Sequence, residues 1–142
     1  MSAMPSEPAI TFIRPEELTT KAPYAYAAVA GAGQLVFTAG ACPLDAKGNT
    51  VAAGDVAGQA HQVMMNLVIT LQAAGAELTD VIKTTIYVAS AQQADLGTAW
   101  HIVRTAFGEH DAPSTLLGVS VLGYDDQLVE VEAIAIRPEP RS

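Results

Sequence analysis

Apolar residues recur at helical spacing in two parts of the chain. In the first part they form a stripe with one member every three or four residues: Val56, Ala60, Val63, Leu67 and Leu71. This pattern predicts a helix over residues 55–74, because side chains three and four residues apart share one helical face. Asp55 is suited to cap its first turn, and Gly75 is suited to end it in a left-handed conformation.

The second part predicts a helix that begins near residue 90 and ends at residue 107. Its apolar stripe consists of Leu96, Ala99, Trp100, Val103 and Phe107. Ser90 and Gln93 have the spacing of a capping box at its start, and Gly108 follows its last turn.

The remaining segments have the alternating or uniformly apolar patterns of strands. The predicted strands are residues 9–13, 24–29, 35–38, 80–88, 116–122 and 128–136. Gly31 and Gly33 predict a hairpin between the second and third strands. The order β-β-β-α-β-α-β-β is typical of an α/β or α+β sheet with both helices on one face. We expect one domain over residues 1–142, in which residues 1–23 form a Pro-rich, partly irregular arm.

Strand alternation also assigns side chains to faces. In residues 80–88, one face is predicted to carry Ile82, Thr84, Ile86 and Val88, and the other Val81, Lys83, Thr85 and Tyr87. In the last strand, Glu130 and Glu132 share a face with the apolar residues at positions 128, 134 and 136. Paired, partly buried carboxylates suit general acid–base catalysis. The alternative is that this face is a solvated edge of the sheet.

Composition restricts the partners of the protein. The chain has 7 Lys and Arg against 15 Asp and Glu, a net charge of −8, which disfavours nucleic acid and anionic membranes as partners. Half of the residues are hydrophobic and only 15% are charged, so we expect apolar surface to be buried between copies of the chain. No segment has the pattern of a secretion signal or a membrane helix, and we expect a soluble cytoplasmic protein.

Few other residues suggest chemistry. Cys42 is the single cysteine, and with no base close to it in the sequence we expect an inert, buried thiol. Tyr24 and Tyr26 lie on one side of their predicted strand, as ligand contacts or as a packing pair. No metal site is predicted, because none of the three histidines has the spacing of a metal ligand: His61, His101 and His110.

Four segments together resemble the RidA/YjgF family, also called the endoribonuclease L-PSP family. They are the sequence Gln-Leu-Val-Phe-Thr-Ala-Gly-Ala-Cys-Pro at residues 34–43, the helix at residues 55–75, and residues 80–88 and 129–135. The resemblance implies a chorismate-mutase-like α+β fold, with a mixed sheet and two helices on one face. It also implies a homotrimer with ligand clefts between subunits, and hydrolytic deamination of reactive 2-enamine and 2-imine acids without a cofactor.

The resemblance also implies roles for individual residues. In the family, a glutamate on the last strand positions the attacking water, and its position matches Glu130. A tyrosine that lines the cleft matches Tyr26, or Tyr24 if the loop that follows is two residues longer in this chain.

Three other positions depart from the family's pattern. The arginine that binds the substrate carboxylate falls on Thr115, the cleft cysteine on Leu117 and an asparagine on Trp100. A threonine hydroxyl offers one neutral donor where a guanidinium offers a bidentate, charged pair. We therefore expect a cleft retuned toward neutral or more apolar ligands, unless Arg104 or Arg14 restores the cation.

Three hypotheses for the function remain open. The first is a hydrolase of imines or enamines, in which Glu130 positions water and Thr115 acts as a donor. The second is a non-catalytic trimer that binds a small molecule. The third is a ribonuclease, which the net charge of −8 disfavours.

Overall fold

The computed structural model describes residues 9–138, and residues 1–8 of the predicted arm lie outside that range together with residues 139–142. The described residues form the strands β1 (Ile10–Ile13), β2 (Ala27–Ala30), β3 (Gly33–Phe37), β4 (Val81–Val88), β5 (Ser114–Gly118) and β6 (Val129–Pro138), and the helices α1 (Val56–Ala73) and α2 (Gln93–Phe107). A 3-10 turn at Leu78–Asp80 precedes β4. The predicted order of strands and helices is confirmed.

The main sheet is mixed, which confirms the predicted α+β class. Its strand order is β3-β6-β4-β5, in which β4 and β5 are parallel and the other neighbours are antiparallel. Helix α2 connects the two parallel strands, as the crossover of such a pair requires. The strands β1 and β2 form a separate antiparallel pair.

The hydrophobic core lies between the helices and one face of the main sheet. Leu67 and Leu71 of α1 are fully buried there with Ile86 of β4 and Val131 of β6. Asp55 caps α1 as predicted, because its side chain accepts a hydrogen bond of 3.0 Å from the amide of Gly58. Among the described residues, no helix is both long and apolar enough to cross a membrane.

The predicted hairpin between residues 24–29 and 35–38 is wrong. β2 pairs with β1, and β3 pairs with β6. β3 lies so close to β6 that a Cβ on Gly33 would fall 2.6 Å from the carbonyl oxygen of Arg137. Residues 24–26 precede β2, and the amide of Ala25 donates to the carbonyl of Asp111 at 2.9 Å. The glycines at positions 31 and 33 therefore connect two sheets.

The predicted faces of β4 are wrong at its first two residues. The register against β6 shifts between Val81 and Lys83, as in a β-bulge. As a result Val81 is fully buried on the side of Thr84, and Ile82 is only half-buried. Lys83, Thr85 and Tyr87 remain on the opposite face, as predicted.

Two predicted boundaries also differ from the structure. α2 begins at Gln93, and the Ser90 hydroxyl accepts from the amide of Gln92 and donates to Asp95, so the predicted capping box of Ser90 with Gln93 does not form. β5 occupies residues 114–118 instead of 116–122. It ends at Gly118 because its pairing partner β4 ends at Val88, directly opposite.

Truncating Leu67 tests the position of the core. Leu67→Ala should lower the free energy of unfolding by about 2–5 kcal/mol, because it leaves a cavity between α1 and the sheet. Ile69→Ala changes the same helix at a side chain that is 62% exposed, and should change stability by less than about 0.5 kcal/mol. Urea denaturation at one protein concentration measures both, and equal losses would contradict this core.

Candidate functional site

Glu130 and Glu132 lie on the face of the main sheet that points away from the helices. The residues that alternate with them on β6, Val129, Val131 and Ala133, are buried in the core. β6 lies between β3 and β4, so the interpretation of this strand as a solvated edge is wrong. Both glutamates are half-buried. They pair with Tyr87 and Thr85 of β4 on one side, and Val131 between them forms a bridge with Ala41 on the other.

Glu130 is held by two side-chain donors and a glycine. Cys42 Sγ and Gln127 Nε2 each donate to Glu130 Oε1 at 3.2 Å. The other carboxylate oxygen lies against Gly40, where a Cβ would collide with it. Oε1 therefore has two donors, whereas Oε2 lies at a position that only a glycine leaves open.

Helix α1 positions both segments that contact Glu130. The Gln59 amide is fully buried; it accepts from the amide of Leu128 at 2.7 Å and donates to the carbonyl of Asp126 at 2.8 Å. Asn66 Nδ2 donates to the carbonyls of Cys42 and Leu44 at 2.8 and 2.9 Å. These amides attach the Cys42 loop and the turn before β6 to one rigid element.

Cys42 is half-buried, so the prediction of a buried thiol is only partly met. Burial, followed by the hydrogen bond to Glu130 and its charge, raises the pKa of this thiol to about 11. The thiol therefore remains protonated near neutral pH and donates its proton to the carboxylate. The sequence predicts an inert thiol from the lack of a nearby base, whereas in the structure burial and the neighbouring carboxylate are what raise its pKa.

Glu132 has a different environment from that of Glu130. The Tyr87 hydroxyl donates to Glu132 Oε1 at 2.6 Å. This hydrogen bond, with a smaller contribution from burial, raises the pKa of Tyr87. Glu132 thus has a tyrosine as its partner, and Glu130 has the thiol and amide described above.

A second cluster lies at the edge strand β5. Tyr24, Trp100 and Thr115 line a depression of about 410 Å³ together with residues 23, 114 and 116. The rings of Tyr24 and Trp100 meet edge to face, with centroids 6.0 Å apart. Tyr26 lies in a neighbouring depression and donates its hydroxyl to the carbonyl of Thr19 at 2.7 Å. Of the two tyrosines, Tyr24 is thus the one near Thr115.

Leu117 lies apart from that depression. It pairs with Tyr87 across the parallel strands and is 44% exposed on the face of Glu130. The strand β4 lies between the two clusters. Thr115 on β5 pairs with Thr85 on one side of β4, and Glu130 on β6 pairs with Tyr87 on the other side. Thr115 and Glu130 are two strands apart, about 10 Å in that direction alone.

Neither Arg14 nor Arg104 lines the depression that contains Thr115. Arg14 pairs with Asp111 at 3.1 Å, and Arg104 lies 3.9 Å from the same carboxylate and donates to the carbonyl of Pro23. The cation that contacts Thr115 is Lys83, whose Nζ donates to Thr115 Oγ1 at 2.6 Å. The alternation along the sequence assigned Lys83 to the correct face of β4. It could not identify Thr115 as the partner of Lys83, because that contact depends on the pairing of β4 with β5.

The ligating side chains of residues 9–138 form no group of three that could hold a metal ion. Of the three histidines, His110 has a defined partner, because its Nε2 lies 2.7 Å from the carbonyl of Val81. Its ring also packs against those of Phe12 and Phe107.

The fold and the carboxylate on its central strand define a class of small α+β proteins with a polar site on the sheet face opposite the helices. Residues 15–137 match the family model described as endoribonuclease L-PSP. The chain belongs to this family, the RidA/YjgF family that its sequence resembles.

The relatives of the chain include named deaminases. It is 36% identical over 112 residues to a RutC family protein of Pyrococcus horikoshii, covering 79% of this chain and 86% of the relative. It is 35% identical over 108 residues to the 2-iminobutanoate/2-iminopropanoate deaminase of Salmonella typhimurium, covering 74% and 81% of the two chains. The crystal structure of a conserved Rid family protein of unknown function from Yersinia pestis matches with a TM-score of 0.82 at 29% identity, over 90% of this chain and 98% of that one.

Alkylation of Cys42 tests the contact between the thiol and Glu130. Because the folded pKa is about 11 against 9.0 for an ordinary cysteine, the folded protein should react with iodoacetamide roughly 100-fold more slowly than the denatured chain at the same pH. Glu130→Gln should speed the reaction of the folded protein, and Glu109→Gln, an exposed control, should not. Mass spectrometry of the single cysteine gives the rate. Equal rates in folded wild type and denatured chain would contradict the contact.

Proposed function

We propose that the protein is a hydrolytic deaminase of reactive imine and enamine metabolites, and that Glu130 positions the attacking water. The named deaminases at about one-third sequence identity support this function. The single observation that carries it is the geometry of Glu130: a carboxylate on a central strand, with donors on Oε1 and with Oε2 against a glycine.

The chemistry needs only water and proton transfers. Glu130 accepts a proton from water as the water oxygen bonds to the imine carbon, which gives a tetrahedral carbinolamine. Glu130 passes this proton to the nitrogen, which becomes the amine of the carbinolamine. The hydroxyl proton is then transferred to the same nitrogen, the carbon–nitrogen bond breaks, and ammonia leaves with the electron pair of that bond as the carbonyl forms. No electrons are exchanged with a second reactant, so the reaction requires no organic cofactor and no redox metal.

We propose further that the protein is a homotrimer with clefts between subunits. Val36 packs on the core, so its neighbours Leu35 and Phe37 lie on the face of Glu130, where they are 54% and 69% exposed. Apolar side chains on an uncovered face favour assembly. The Glu130 cluster and the Tyr24–Trp100–Thr115 cluster lie apart within one chain. In the proposed trimer, the Glu130 cluster of one copy meets the other cluster of the next copy, and the two complete one cleft.

The second cluster supports a substrate range that differs from the family's usual one. On the alignment implied by the resemblance, Thr115 replaces the carboxylate-binding arginine, Trp100 an asparagine and Leu117 a cysteine. The Trp100 indole fills space beside Tyr24, which favours a compact substrate. The ribonuclease hypothesis has no support from these residues, and the net charge of −8 disfavours it.

Replacing the carboxylate tests the deaminase proposal. With 2-iminobutanoate generated in situ by an amino acid oxidase, wild type should accelerate the release of 2-oxobutanoate and ammonia. Glu130→Gln should lower the rate by at least about 100-fold, the usual contribution of a positioned acid or base. Glu109→Gln makes the same change at an exposed site and should retain full activity.

The result for wild type decides between the first two hypotheses. If wild type and Glu130→Gln both stay at the uncatalysed rate with several imines, the deaminase proposal is wrong for those substrates. A trimer that binds a small molecule without turnover would then replace it.

A further inference from the structure

We propose that Lys83 supplies the positive charge that binds the ligand, and that this part of the site therefore takes a small molecule with a free carboxylate. Thr115 holds the Lys83 ammonium in place. The inference rests on the proposed function for the identity of the reaction, but the binding of a carboxylate by Lys83 is independent of turnover.

The geometry of the two strands carries the assignment. Lys83 lies two residues before Thr85 on β4, and Thr85 pairs with Thr115 on β5. The Lys83 side chain reaches across to that strand, where Nζ donates to Thr115 Oγ1 at 2.6 Å. Thr115 therefore acts as an acceptor that fixes the cation.

The Lys83 ammonium has no carboxylate partner among the described residues. Both ion pairs found within residues 9–138 involve Asp111 with Arg14 or Arg104. Glu132 borders the same depression as Lys83, but its Oε1 accepts from Tyr87. An ammonium has three N–H donors, and Thr115 accepts from one of them, which leaves two for a ligand carboxylate.

The surroundings of Lys83 favour a small anion. The depression beside it has a volume of only about 150 Å³, and Thr38, Thr85 and Glu132 are among the residues that line it. Partial burial lowers the pKa of Lys83, because the charged form loses solvation. A carboxylate bound beside the ammonium would stabilise the charged form of Lys83 again.

This assignment changes the substrate class expected from the sequence. The threonine at position 115 suggested a neutral or more apolar ligand, whereas Lys83 keeps a cation in the same place. An ammonium is a compact point charge without the fixed fork of a guanidinium. The carboxylate is therefore held with less directional restriction, which allows imino acids of more than one shape.

Calorimetric titration with 2-oxobutanoate, the stable product, and with its uncharged amide tests the proposal. Wild type should bind the carboxylate at least about tenfold more tightly than the amide, the size expected for a charge-assisted hydrogen bond. Lys83→Met keeps the length of the side chain without the charge, and should lose this preference. Lys83→Arg should keep it, and Lys47→Met, the same change in an exposed turn, should bind as wild type does.

A second variant tests the proposal even if Lys83→Met fails to fold. Thr115→Val removes the acceptor but leaves the charge, and should weaken carboxylate binding severalfold without affecting the amide. The proposal is overturned if Lys83→Met binds the carboxylate as wild type does, if it weakens both ligands equally, or if wild type binds neither.

The same proteins separate this proposal from the deaminase proposal. If the carboxylate binds through Lys83 but no imine is hydrolysed above the uncatalysed rate, the deaminase proposal is wrong and the role of Lys83 stands. If wild type and Lys83→Met hydrolyse the imino acid with the same KM, the deaminase stands and the role of Lys83 is wrong.

Discussion

The structure depends on the alternation of side chains along β6, a strand with neighbours on both sides. Its odd-numbered residues from 129 to 135 are buried between the sheet and the helices. The even-numbered residues must then face the other way, and so Glu130 and Glu132 lie on the face of the sheet opposite the helices. A shift of one residue in the register would bury both carboxylates, so the hydrophobic core and the polar site are specified by the same pairing.

The surroundings of the two glutamates then separate their roles. Buried amides on α1 hold the loop of Cys42 and the turn of Gln127, and these supply the donors on Glu130. Glu132 accepts a hydrogen bond from the Tyr87 hydroxyl and borders the same depression as Lys83. Under the two proposals, Glu130 positions the attacking water and Lys83, on the neighbouring strand, binds the carboxylate of the ligand.

Periodicity predicted the helices, the strand order in the chain and the shared face of the glutamates, because each depends on local spacing. The predicted hairpin of residues 24–38 was wrong because each strand pairs with a partner that is distant in the sequence. The predicted face of Val81 was wrong because a bulge changes the register of β4 against β6. The contact of Cys42 with Glu130 joins residues 88 apart, and that of Lys83 with Thr115 joins residues 32 apart. Both require the order of strands in the sheet, which alternation alone does not determine.

The central proposal is that Glu130 of one copy meets the Thr115 cluster of the next, and Lys83 belongs with that cluster because its Nζ donates to Thr115. Mixed assemblies of two variants test this shared site most directly. Glu130→Gln and Lys83→Met chains are denatured together in equal amounts, refolded and assayed for deamination of 2-iminobutanoate. Random assembly should give an unaltered Glu130 facing an unaltered Lys83 in roughly one quarter of the clefts, and about that fraction of wild-type activity should return. A mixture no more active than the two variants refolded separately would contradict the shared site.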